Sequence, residues 1–213
     1  MVVSVCYAET TNLETEHFKI CKTCPQEKIV IKYEDFVSPE LDCVNIYQSK
    51  AKELTKNELL LSSVIGHGTG FNVEKLFIIQ VVDDTANMNF IEKIFSLKKR
   101  KLMIYSLSNE EIFNQLRKRT KFEITKNRLR IIIDNKEVYE GSIKMGKNYY
   151  VDYCDEYFTF NLYNKLSLTV GICKKKKDEA TYPDFIGDMK FEIAYKIENK
   201  ELHFSLKKPI FKI

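Results

Sequence analysis

The sequence has no tryptophan, and its 213 residues include only seven glycines and four prolines. So few of these residues argue against long flexible linkers. No apolar run approaches the ~20 residues that a membrane-spanning helix requires. Asn-x-Ser/Thr sequons are absent. Met1 to Ala8 is apolar but lacks the basic start and long core of a secretory signal. Six cysteines are an even number, yet nothing in their spacing demands disulfides. The expected location is the cytoplasm, peripheral to membranes at most, where thiols stay reduced. Cys154 and Cys173 then read as small core residues inside strands.

Catalytic signatures are also missing. Gly66-His67-Gly68-Thr69-Gly70 lacks the Lys-Ser/Thr that ends a P-loop and does not match Gly-x-Gly-x-x-Gly. His67 has no Ser, Cys or acidic partner at diagnostic spacing. The expectation is a protein without enzymatic activity.

What is present describes a globular chain, 44% hydrophobic and 30% charged, long enough to bury a core. Its charge is uneven. Residues 98–130 hold eleven Lys or Arg against three Glu, while residues 1–60 hold ten acids against seven bases. An anionic partner would suit the basic span.

Periodicity separates two regions. Up to residue 120 the pattern is mixed and predicts an α+β portion that contributes strands to the remainder. His17 to Cys21, Lys28 to Tyr33, Leu76 to Val82 and Leu102 to Leu107 read as strands. Residues 49–65 read as a helix, with Thr55 and Glu58 as a capping box before Leu59, Leu60 and Leu61. Phe90 to Leu97 reads as a second helix. Ser108 with Glu111 starts a third, burying Ile112, Phe113 and Leu116. From 121 to 213 a period of two persists, with Lys126-Asn127, Asn135-Lys136, Asn164-Lys165 and Asn199-Lys200 as turns. The predicted fold is mainly β, an antiparallel β-sandwich over 121–213 with an α+β N-terminal portion.

Within the second region, Leu129 to Ile133 is followed by Asp155-Glu156-Tyr157-Phe158-Thr159-Phe160. Then come Leu166 to Val170, Lys174 to Lys177, and Asp184-Phe185-Ile186-Gly187. This order resembles the second half of a C2 domain over roughly residues 128–193. The resemblance implies a C2-like β-sandwich with a ligand-binding loop after the strand ending near Cys173. The paired aspartates of the family would fall near Ile172 and Lys174, which cannot ligate calcium, and only Asp184 matches a ligand position. Calcium needs six or more oxygens, so the implied type is calcium-independent. Lys174, Lys175, Lys176 and Lys177 would instead place four cations at a loop tip. Near an anionic bilayer each lysine contributes about 1 kcal/mol. The implied partner is an anionic phospholipid surface or an acidic protein in an intracellular assembly.

Two further constellations stand beside this one. His17-x3-Cys21-x2-Cys24, with Cys43, offers four N/S ligands for a structural zinc; Cys6 is an alternative fourth ligand, and no second Cys-x2-Cys accompanies them. Lys98, Lys99, Arg100 and Lys101, with Arg117-Lys118-Arg119, form a basic span that would suit nucleic-acid phosphates in a binding or scaffold protein.

Overall fold

β-Branched Ile29, Val30 and Ile31 favour an extended backbone, and Lys28–Tyr33 is a strand in the computed structural model. The structure describes residues 11–23, 28–43, 45–67, 72–90, 93–177 and 183–213. Among them the chain is mainly β, with one helix. It divides into two units, 1–65 with 76–106, and 66–75 with 107–213.

The first unit begins with β1 (Thr11–Glu14), β2 (Phe18–Thr23), β3 (Lys28–Tyr33), β4 (Phe36–Val37) and β5 (Leu41–Asp42). All their pairings are antiparallel, in the order β1-β2-β3-β4 with β5 also against β3. Next come β6 (Asn45–Thr55), β7 (Glu58–His67), β8 (Asn72–Phe90) and β9 (Lys93–Ser106). β6 pairs with β7, and β8 with β9, both antiparallel. Phe18 and Ile20 of β2 and Ile29 and Ile31 of β3 meet Ile46, Leu59, Leu61, Phe77 and Ile79 in one buried cluster. Side chains from both groups of strands therefore share a core. Each large apolar side chain so buried contributes about 1.5–3 kcal/mol.

Two expected helices are strands. Residues 49–65 form the β6–β7 hairpin, turning at Lys56-Asn57. Leu59, Leu60 and Leu61 are buried consecutively, so this strand is covered on both faces. Such a strand has the same continuous apolar run as a buried helix, and periodicity cannot separate the two. Phe90, Ile94 and Phe95 lie in the β8–β9 hairpin, in register as Phe90↔Lys93, Asn89↔Ile94 and Met88↔Phe95.

The second unit contains α1 (Asn109–Arg119), capped as expected by Ser108, whose Oγ accepts the Glu111 N–H at 3.4 Å. Ile112, Phe113 and Leu116 form its buried face. β10 (Thr120–Thr125), β11 (Arg128–Ile133) and β12 (Lys136–Ser142) follow as an antiparallel meander. β13 (Tyr149–Asn161), β14 (Ser167–Lys176), β15 (Asp184–Glu198) and β16 (Glu201–Lys212) form a second one. Here β13 also meets the start of β8 through the parallel pair Phe158↔Val73. Phe113, Tyr153, Phe158 and Phe160 stack edge-on or tilted in the interior, and half-buried Phe122 meets Tyr153 edge-on. A carboxylate is buried with them: Glu74, 2% exposed, accepts the Phe160 N–H at 2.8 Å.

Cys154 and Cys173 are joined by a disulfide, with Cα atoms 5.3 Å apart. This corrects their reading as reduced core thiols. Sequence spacing could not reveal that antiparallel pairing of β13 and β14 brings the two within bonding reach. Disulfides persist in oxidising surroundings and are rare in the cytosol, so this bond runs against the expected reducing compartment.

Candidate functional site: a lysine-lined hollow on the second unit

The four-lysine run is a strand end rather than a loop tip. β14 continues through Lys176 because Lys174, Lys175 and Lys176 pair with Val151, Tyr150 and Tyr149. Lys174 Nζ lies 2.7 Å from Asp184 Oδ2 and 5.0 Å from the centre of the Tyr149 ring. Lys175 Nζ lies 2.8 Å from Asp155 Oδ2. The side chains of both are less than a fifth exposed. Lys177 follows the strand, exposed, with its main-chain N–H donated to Asn148 O at 2.9 Å. Asp155 also receives Arg117 Nη2 at 2.8 Å, and Asp152 lies 3.1 Å from the same nitrogen. Burial works against the Arg117 charge, and hydrogen bonding and attraction from the two aspartates outweigh it. Much of the charge predicted to face a ligand is matched within the fold.

The same holds along 98–130. Arg100 Nη1 contacts both Glu34 oxygens at 2.9 Å. Arg119 Nε donates to Asp134 at 2.9 Å, and its Nη1 donates to Leu206 O at 2.8 Å. Arg128 faces Glu140, and Arg130 faces Glu137 and Glu123. Lys98, Lys99, Arg100 and Lys101 lie on β9, while Arg117, Lys118 and Arg119 close α1 in the other unit. The side chains of Lys98, Lys99 and His67 lie outside the described residues.

The expected zinc ligands are dispersed. Cys21 and Cys43 are both buried, and neither is in a disulfide. Phe18 and Ile20 share the cluster that contains Cys43, and strand alternation turns Cys21 to the opposite face. His17 is exposed and bonded to Glu53 rather than to a thiol. Cys24 and Cys6 lie outside the described residues.

A different group of lysines converges. A hollow of about 360 Å³ is lined by Asn161, Tyr163, Lys165, Ser167, Lys190, Glu192, Lys208, Ile210 and Lys212, together with Asn164. Its cations come from the β13–β14 connection, β15 and β16. On β15 the odd residues Met189, Phe191 and Ile193 are buried, which turns Lys190 and Glu192 outward. On β16 the alternation changes phase. Lys207 stands opposite Glu192, but Ile210 stands opposite Lys190, so Lys208 and Pro209 share the place facing Phe191. This is a β-bulge, with Lys208 at a positive φ of 51°. It brings Lys208, Ile210 and Lys212 to the face already carrying Lys190.

Glu192 is the hollow's one acidic lining residue, against four lysines. Lys208 Nζ lies 2.9 Å and Lys165 Nζ 3.3 Å from it. The Lys208 hydrogen bond, with burial opposing it, holds the Glu192 carboxyl below its ordinary range. Lys190 has no ion-pair partner among the described residues. Tyr163 and Ile210 are more than half exposed at the margin. Ser167 lines the base, its Oγ buried and without a hydrogen-bond partner. Sequence reasoning missed this site because its lysines are separated by up to 47 positions (165 to 212) and only strand pairing and a bulge unite them. The Asn164-Lys165 turn and the Lys207-Lys208-Pro209 step were its only local traces.

Comparisons with family models, with curated proteins and with solved structures give no match, so the functional reading rests on this geometry.

Proposed function

We propose that this chain is a non-enzymatic, calcium-independent binding module that engages anionic phospholipid surfaces through the Lys165, Lys190, Lys208 and Lys212 hollow. The observation that carries the reading is four lysines lining one concave site whose lining holds a single carboxylate, Glu192, which pairs with two of them. Phospholipid headgroups offer the phosphates and carboxylates such a site would hold. Exposed Tyr163 and Ile210 at its margin suit the bilayer interface, where amphipathic and apolar side chains are favoured. The C2-like character of the module rests on the 128–193 sequence order alone. The nucleic-acid reading of 98–130 gains no support, because most described arginines there already face carboxylates.

Co-sedimentation with phosphatidylserine–phosphatidylcholine vesicles tests the proposal. Binding at low salt that weakens as salt rises is expected, since screening shortens the reach of surface charge. No pelleting at low salt would remove the membrane from the function. Equal binding after Lys165, Lys190, Lys208 and Lys212 are changed to Ser would remove the hollow.

A further inference from the structure

The connection between β1 and β2 is a tight turn. Thr15 N–H donates to Phe18 O at 2.9 Å, and Phe18 N–H donates back to Thr15 Oγ1 at 3.2 Å. This holds Glu16 and His17 side by side at the tip. From β6, Glu53 reaches the same point, accepting the His17 main-chain N–H at 3.0 Å, with its other oxygen 2.7 Å from His17 Nδ1. One ligand-type atom from each of Glu16, His17 and Glu53 lies within 4.8 Å of the other two.

We propose that Glu16, His17 and Glu53 form a binding site for a divalent transition metal of the zinc class. An imidazole and two carboxylates are a donor set that zinc accepts, with a fourth tetrahedral position left for water. Zinc bonds of ~2.0–2.1 Å put neighbouring ligand atoms about 3.4 Å apart. To reach that spacing His17 Nδ1 and Glu53 Oε1 open out from 2.7 Å, and the Glu16 side chain stands exposed beside them at the turn. Calcium would need at least six oxygens and magnesium a near-octahedral set, and three side chains with one nitrogen suit neither. Among the described members of the sequence-derived zinc set, His17 is thus the one that keeps the role, with carboxylates in place of thiolates. A purely structural His17–Glu53 link would have no use for Glu16, which takes no part in that bond.

Isothermal titration of the metal-free chain with zinc chloride tests the site, with calcium and magnesium chloride as controls. Saturable zinc binding and no calcium or magnesium binding are expected. Glu16→Gln should weaken zinc by at least the ~10–100-fold that even an outer-shell substitution costs. Its thermal unfolding without metal should stay unchanged, because the His17–Glu53 bond is intact. His17→Gln should abolish binding. Zinc held on the cysteines would survive Glu16→Gln unaltered, and that result, or no zinc binding by the native chain, would overturn the proposal.

Discussion

Two groups of four lysines on the second unit behave in opposite ways. Lys174 to Lys177 are consecutive in sequence, yet antiparallel pairing draws the first three into β14 and sets Asp184 and Asp155 against the first two. Lys165, Lys190, Lys208 and Lys212 are far apart in sequence, yet they line one hollow, where Glu192 pairs with Lys165 and Lys208. Charge density along a chain is therefore a poor guide to charge density in space. A run inside a strand sends alternate side chains to opposite faces and meets the partners of each. Strands laid side by side can stack cations that no local pattern announces.

The largest expected effect concerns the strands beneath the run. Cys154→Ser with Cys173→Ser opens a loop of 19 residues and should lower unfolding free energy by about 3 kcal/mol. Denaturant titration of oxidised and reduced protein would measure it; equal midpoints would show that β13 and β14 are held without the bond.

Replacing the four lysines of the hollow by Ser should reduce vesicle affinity by several hundredfold at low salt, about fivefold for each lysine, since near-surface lysines act roughly additively. Changing Lys174 to Lys177 to Ser should cost far less. Equal losses in the two variants would erase the distinction between matched and convergent charge.

A smaller gain is expected on removing the hollow's own acid. Glu192→Gln should strengthen vesicle binding by up to about fivefold, the effect of one unit of charge near the surface. The same sign applies to pH. Because the folded-state pKa of Glu192 is depressed below its ordinary value of 4.5, its ion pairs support the fold at neutral pH. That support is lost as pH falls through the depressed value. Binding per folded molecule should strengthen over that acidic range, and vesicle titrations on native protein and Glu192→Gln should converge there.

The smallest effect would unmask the run. Asp155→Asn and Asp184→Asn together free Lys175 and Lys174 from their partners. Vesicle affinity should rise, by no more than about threefold, because the two carboxylates removed are more than half exposed, where single ion pairs are weak. A fall instead would mean the pairs hold β14 in a shape that binding needs.

How legible each element was depended on where its determinants lie. Ser108, Glu111 and the Ile112, Phe113, Leu116 stripe specify α1 within one turn's reach, and the helix stands where that signal predicted. Asn135, Asn164 and Asn199 announced left-handed turn positions, and each has a positive φ. Lys28–Tyr33 was readable to the residue, and Leu129 to Ile133 to within one. Residues 49–65 were not, because burial of Leu59, Leu60 and Leu61 depends on a facing layer that lies elsewhere in the chain. The Cys154–Cys173 bond was invisible for the same reason: it depends on which strands become neighbours.

The sequence by itself determined the local grammar of this protein: its turns, its single described helix, and the period-two strands that dominate residues 121–213. Backbone propensity and capping act over a few residues and need no distant partner. Tertiary structure alone decided which charges are matched and which converge, which cysteines join, and which carboxylates reach His17. Those outcomes depend on strand register, and register is set by pairing between segments far apart in the chain.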